Sequence, residues 1–416
     1  MDRLFLLFAL TATLILGCPV TESDDDDSPT DDDDDDDMEL PDYTESACYG
    51  DAEVTYLFDH DAMAFVALDT TCRAEGDKTM LFVDDEIWDD AVDQEMVNTF
   101  MHRFEIYSED GAYDMNTGIL GNNEAVFGGL DVSTFPNEKL HIFVVNTDGY
   151  GDGYVCPTDY GWCDYYCLHI DGLSMHPIDG DYSLSVTAHE TYHIIHHFID
   201  GNEHPWVDES LAEAAMTANG FFTDDAWLES FLSDPDYNWG PGDPDHGAAH
   251  YGAFLLWGTY LWEQGSADLL GAVTAESSDG WTGIDAALAD VGIDDSAYDL
   301  YLDMIVAIYL DDPGLGYGFE SFDFDPVSTI TELAIGDDRN GHLQPYGIDY
   351  YDLDVSGTVE IEVTTDDDVV VLAVAAGADA TVEDVSAGGT FTVEAGEIGF
   401  LAVTAEDTAA YTLALF

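Results

Sequence analysis

The chain has 416 residues, with 90 Asp or Glu against 6 Lys or Arg, a formal net charge of −84 at pH 7. A field of that sign excludes nucleic acid and anionic membranes as partners, while 46% hydrophobic residues are enough to build cores for two or three domains. The acids pervade the whole chain, a composition suited to high salt, where a Debye length of about 3 Å at 1 M screens self-repulsion.

Leu4 to Leu16 is a run of apolar or small residues. It is shorter than the roughly 20 residues that span a bilayer and suits the core of a signal peptide, expected over 1–17. Ile15-Leu16-Gly17-Cys18 resembles the lipobox of bacterial lipoproteins. That implies lipidation at Cys18 and a lipid anchor at the cell surface or outer membrane, with no transmembrane helix in the mature protein. Simple secretion is the alternative, because Asp2 opposes Arg3 in the charged start. Residues 18–45 are Asp-rich, cannot bury apolar area, and read as a disordered tether. Cys48, Cys72, Cys156, Cys163 and Cys167 are disulfide candidates in an exported protein. Pairing Cys48 with Cys72, and one pair within 156–167, leaves an odd thiol. A zinc cluster on the last three lacks a fourth ligand.

Residues 46–125 read as a β-rich region in which EVTYLF, AMAFVAL and KTMLFV precede a helix from Asp89 to Phe104, with Val92, Met96, Phe100 and Phe104 on one side. Within a core expected over 126–335, LHIFVV and DYYCLHI add strands. Between them, Asn146-Thr147-Asp148-Gly149-Tyr150-Gly151-Asp152 makes Ca2+ a candidate ion, although its spacing matches no EF-hand loop.

The run SLSVTAHETYHIIHHFI then starts after Gly180-Asp181 and stops at Asp200-Gly201, start and stop signals of a helix. His189 and His193, four apart, lie on one helical face and can grip a single zinc ion, with Glu190 as a base beside it. His196 shares the stripe and His197 a neighbouring line. Four-coordinate zinc must keep a position for water, so His196 and His197 are read as supporting or packing residues. The metzincin pattern fails, because the positions for its Gly and third His hold His196 and Ile199. His204 reads as a loop residue.

After Pro205, PWVDESLAEAA gives a second helix from about Trp206 to Asn219, closed by Gly220. Glu209 and Glu213 share a face there. Glu209 is the expected third ligand, and Glu213 the carboxylate that hydrogen-bonds the far nitrogen of a ligand imidazole. A further helix, His250 to Glu263, is dominated by Phe254, Leu255, Trp257 and Leu261, and helices continue to about 310. From 345 to 416 the pattern turns to alternation (VEIEV, VVVLAV, FTVEA, FLAVTA, YTLALF), a small β-sandwich. The whole is an α+β protein.

TAHETYHIIHHF and WVDESLAEAA, with HYGAFLLWGTYLWEQ downstream, make the chain resemble the gluzincin zinc metallopeptidases, whose pattern is HExxH followed by W-x-x-E-G-x-(A/S)-E, and more narrowly the hyicolysin-type bacterial branch. The likeness covers about residues 75 to 335. It implies a thermolysin-like core (mixed sheet plus helical subdomain), a single catalytic Zn2+ on His189, His193 and Glu209, and Glu190 as general base. Tyr251, or else His250, is the implied oxyanion donor, and the segment 164–170 the implied sheet edge along which substrate adds. The β-sandwich resembles modules that trail many secreted peptidases. Ser210 stands where such enzymes usually carry Gly. The G-x-M-E-N segment of the aminopeptidase relatives has only a poor echo in Gly121-Asn122-Asn123-Glu124, which favours an endopeptidase acting on proteins or peptides. The competing readings are a catalytically silent scaffold for surface binding or adhesion, and a binder of divalent ions.

Overall fold

The computed structural model of the chain describes residues 40–59, 64–106, 118–147, 151–156, 165–221, 225–240, 247–322, 324 and 326–416. The expected signal peptide, Cys18, residues 18–39 of the Asp-rich stretch, Cys163 and residues 148–150 of the candidate calcium loop lie outside these residues. The chain is a mixed α and β protein in two compact units, one from residues 40–106, 118–119 and 132–187, the other from 120–131 and 188–416. Among the described residues no helix is long and apolar enough to cross a membrane.

The first unit is a curled mixed sheet of β1 (Ala52–Asp59), β2 (Ala64–Glu75), β3 (Thr79–Asp84), β4 (Leu140–Val145), β5 (Gly153–Cys156) and β6 (Cys167–Asp171), ordered β1-β2-β3-β4-β6-β5. β1, β2 and β3 form an antiparallel meander, with a bulge between Cys72 and Ala74 that bends β2. β3, β4 and β6 run parallel, and β5 returns antiparallel along β6. Every residue of β3 and β4 is buried. Strands covered on both faces need such unbroken apolar runs. Within the segment expected at the edge, β6 is interior: it lies between β4 and β5, and β5 takes the edge.

A Cys48–Cys72 disulfide with Cα atoms 5.9 Å apart staples the segment before β1 to β2. It sits in an apolar cluster with Met80, Phe82, Phe143, Cys156 and Cys167. Cys156 is also disulfide-bonded, whereas Cys167, its cross-strand neighbour, is a buried free thiol. Just before, Asp42 caps a single turn that buries Tyr43, so the end of the expected tether is folded against this unit. The helix expected from Asp89 begins later, as α1 (Gln94–Met101), because Asp89 has φ 62° and Asp93 is the side chain that caps Met96 N–H.

The helices that follow, all or most of whose residues belong to the second unit, are α2 (Ile119–Phe127), α3 (Asp181–Asp200), α4 (Pro205–Ala218), α5 (Asp225–Ser233), α6 (Ala248–Ala275), α7 (Gly280–Val291) and α8 (Ala297–Leu310). The boundary between the units runs through α3, between Thr187 and Ala188. α4 starts with Pro205 at its first position and is buried along nearly its whole length. Its neighbour α6 continues past the expected Glu263, through a break at Ser266 with φ 54°. α4 and α6 pack closely: a Cβ on Gly258 would meet Ser210 O at 1.9 Å.

The rest of the second unit is a β-sandwich. Its strands are β7 (Ile330–Leu333), β8 (Asp338–Leu343), β9 (Ile348–Leu353), β10 (Gly357–Thr365), β11 (Val369–Ala376), β12 (Ala380–Asp384), β13 (Gly389–Val393), β14 (Ile398–Ala405) and β15 (Ala409–Leu415). One sheet is ordered β13-β10-β15-β8 and the other β12-β11-β14-β9-β7. Their inner faces enclose Leu343, Val359, Ile361, Val371, Leu401 and Leu413. The sandwich starts at β7, earlier than its alternation suggests, and it is bonded to the helices of its own unit. Tyr301 Oη reaches Tyr346 O (3.0 Å) and Thr404 Oγ1 (2.6 Å), Tyr350 Oη donates to Ile305 O (2.6 Å), and the Tyr309 ring stacks on Phe400 at 3.8 Å.

Candidate metal centre

α3 and α4 lie in the order that the motif requires, and the site they form belongs wholly to the second unit. Four residues of separation bring the two α3 imidazoles together: His189 Nε2 and His193 Nε2 are 3.1 Å apart. From α4, Glu209 Oε2 comes to 3.4 Å from the first and 3.7 Å from the second. Among the described residues this is the one cluster of three His, Cys, Asp or Glu side chains close enough to share a metal ion.

The donor set fits zinc. With zinc–ligand bonds of about 2.0–2.1 Å, a tetrahedron has edges of about 3.3–3.4 Å, the scale of this triangle. Glu209 Oε2 is buried and makes no hydrogen bond, although the two imidazole nitrogens lie at 3.4 and 3.7 Å, so three donor atoms converge on one point with no closed hydrogen bond to that oxygen. Electrostatics agree. Burial works against a charged His189, yet its contacts with Glu209 and Glu213 override that and hold its pKa up at about 10. His193 is likewise raised, against burial, by Asp208 and Glu209. For Glu209, burial is outweighed by the two imidazoles, and its pKa falls to about 2. Carboxylates here hold positive charge on the imidazoles, and a divalent cation would take the place of those protons.

Each of these two imidazoles is also held from behind. Glu213 Oε1 is 3.3 Å from His189 Nδ1, and Asp208 Oδ2 is 3.1 Å from His193 Nδ1. Asp208 Oδ1 meets His196 Nδ1 at 2.6 Å, and Tyr192 Oη lies 3.0 Å from the same nitrogen. His196 is thus one step removed from the metal-facing atoms. Asp208 was not singled out from sequence. The signal was a count: two ligand imidazoles need two far-side acceptors, and only Glu213 had been named, although Asp208 is adjacent to Glu209 in the chain.

Glu190 lies between the two ligand histidines in sequence and is buried at 6% exposure, and burial raises its pKa. On α6, Tyr251 is buried with its ring 6.4 Å from that of His189, and burial together with the nearby carboxylates, Glu209 first among them, raises its pKa. His250 is otherwise engaged: its Nδ1 accepts the Gly247 N–H at the start of α6 (2.8 Å), and its ring packs on Tyr237. His197 is part-exposed on the outer line of α3, and His204 is the exposed residue before α4. Gly121-Asn122-Asn123-Glu124 lies in α2. Asn123 is fully buried there, donating to Ala188 O (2.8 Å) and accepting from Asn219 (2.7 Å), so it braces α3 one residue before His189.

No family model matches the chain, and no curated protein matches it. Among solved structures, PliG of Aeromonas hydrophila, a periplasmic inhibitor of g-type lysozyme, is similar over 21% of this chain and 96% of its own, at 15% identity and a TM-score of 0.18. The pre-peptidase C-terminal domain of collagenase from Bacillus anthracis is similar over 21% and 94%, at 11% identity and 0.16. PliG of Salmonella Typhimurium is similar over 21% and 99%, at 12% identity and 0.17. The metal-site residues stand on their own geometry.

Proposed function

We propose that the protein is an exported, lipid-anchored zinc metalloendopeptidase of gluzincin type. The observation that carries this reading is the convergence of His189 Nε2, His193 Nε2 and the buried Glu209 Oε2 into one triangle of tetrahedral size. His189, His193 and Glu209 would hold the zinc, which when bound would supply Lewis acidity to a scissile carbonyl and to water. Glu190, whose burial keeps its proton affinity high, takes the proton of the attacking water and delivers it to the leaving amine. Tyr251, buried beside His189, is the candidate donor to the developing oxyanion, turning its one O–H from Glu209 to that oxygen when substrate is bound. Glu213 and Asp208 hold the imidazoles with Nε2 inward.

The test is hydrolysis of casein by the purified protein in molar NaCl, with zinc measured on the same sample. Glu190→Gln is expected to keep its zinc and lose activity by about 10²–10⁴-fold. A wild-type protein that carries stoichiometric zinc and cleaves nothing overturns the peptidase reading in favour of a silent scaffold. One that binds no zinc overturns the metal centre itself.

A further inference from the structure

The two ligand histidines are supported unequally. Glu213, behind His189, is 8% exposed and held by its surroundings, but Asp208, behind His193, is 33% exposed. A carboxylate that open to water has other partners and other rotamers available to it. His196 removes that freedom. It lies one turn after His193 on α3, is 4% exposed, and meets Asp208 Oδ1 at 2.6 Å while Oδ2 meets His193. One carboxylate is thereby bracketed between two imidazoles of the same helix. Tyr192 fixes the outer one, its ring 5.2 Å from that of His196 and its hydroxyl 3.0 Å from His196 Nδ1.

We propose that His196 is a positioning residue for the metal centre, acting through Asp208 to lock His193 with its Nδ1–H outward and its Nε2 lone pair towards the metal. The inference rests on the zinc reading of the site. A neutral imidazole donates from one nitrogen and accepts at the other, so the carboxylate that takes Nδ1–H decides which nitrogen is left to ligate. With Asp208 unpinned, His193 samples the wrong tautomer and other ring orientations, and zinc must select the competent fraction.

The experiment is chelator competition for zinc on the full chain in molar NaCl, comparing wild type, His196→Phe, His196→Asn and Asp208→Asn. Phe keeps a ring and removes the donor, whereas the Asn amide restores an N–H near the place of Nδ1. The expected result is zinc affinity about 10–100-fold weaker for His196→Phe and Asp208→Asn, with His196→Asn recovering most of the loss. Wild-type affinity in both His196→Phe and Asp208→Asn overturns the positioning role and leaves the zinc centre standing. Equal loss in His196→Phe and His196→Asn overturns it too, since His196 then acts by bulk alone. If His196→Phe does not fold, His196→Ala against His196→Asn decides, equal affinity in the two overturning the role and recovery by Asn alone supporting it. Failure of the wild type to bind zinc is the distinct result that removes the underlying reading.

Discussion

Position 210 carries Ser where the resemblance implies Gly, and the structure gives the compensation. Ser210 turns its hydroxyl back onto Trp206 O at 2.7 Å, and the close approach of the two helices is met from the other side by Gly258. Gly258→Ala should therefore push α4 away, lowering the melting temperature by an amount equivalent to about 1–3 kcal/mol and reducing zinc retention, because Glu209 travels with α4. Thermal melts and metal content on one preparation check it, and an unshifted melt would refute the packing argument. At this scale the sequence is most legible where spacing is local. His189 and His193 on one face, and Glu209 with Glu213, follow from helical periodicity alone. Asp208 and the distinction between His196 and His250 do not, because each depends on which side chain of another turn or helix lies opposite.

The sandwich and the helices before it behave as one structural element. Tyr301, Tyr309 and Tyr350 bond or stack across their boundary, and Trp239 Nε1 donates to Tyr346 O at 3.0 Å. Tyr301→Phe, which strips a buried hydroxyl from Tyr346 O and Thr404, should cost about 1–3 kcal/mol. Its signature is that hydrogen-exchange protection falls together in α8 and β14; loss confined to β14 would mean the sandwich is an independent module. Most of this region was readable from alternation, since VVVLAV and FLAVTA became the buried strands β11 and β14. β7 and β8 escaped notice for a physical reason: ITEL is short, and DRNGHL is an exposed, polar strand that pairs with β15 through its backbone. In the sheet of the first unit, parallel β4 and β6 were visible as apolar runs. The antiparallel return of β5, which makes β6 interior, is a matter of pairing partners that periodicity does not encode.

Across the molecule the two units should respond to acid with opposite signs. In the first, burial depresses His141 to a pKa of about 4 and His169 to about 3. Groups lowered from 6.5 stabilise the fold above pH 6.5, and that contribution is lost as pH falls towards 4. In the second, burial chiefly raises Asp236 and Asp303 to about 6. Groups raised from 3.8 stabilise the fold most at low pH, and that contribution is lost as pH rises through about 6. Between pH 6.5 and 4, hydrogen-exchange protection, taken relative to the intrinsic rate at each pH, should fall in β4 and β6 and rise in α8 and β9. A parallel change in both would contradict the assignment. The net charge of −84 sets a second global expectation: the melting temperature climbs steeply with NaCl towards molar concentrations as self-repulsion is screened, and a flat profile would refute it.

The few cations are spread unevenly. Arg73, Arg103 and Lys139 all make ion pairs within the first unit, and from residue 140 to the C-terminus Arg339, paired with Asp337, is the single Lys or Arg. A trypsin-like enzyme therefore meets only one cleavage point in that stretch of the chain, and amine-directed cross-linkers meet no lysine there. Resistance of that stretch to trypsin-like enzymes follows from its composition alone. In the laboratory, its peptides must be mapped with a protease that cuts at acidic or aromatic residues.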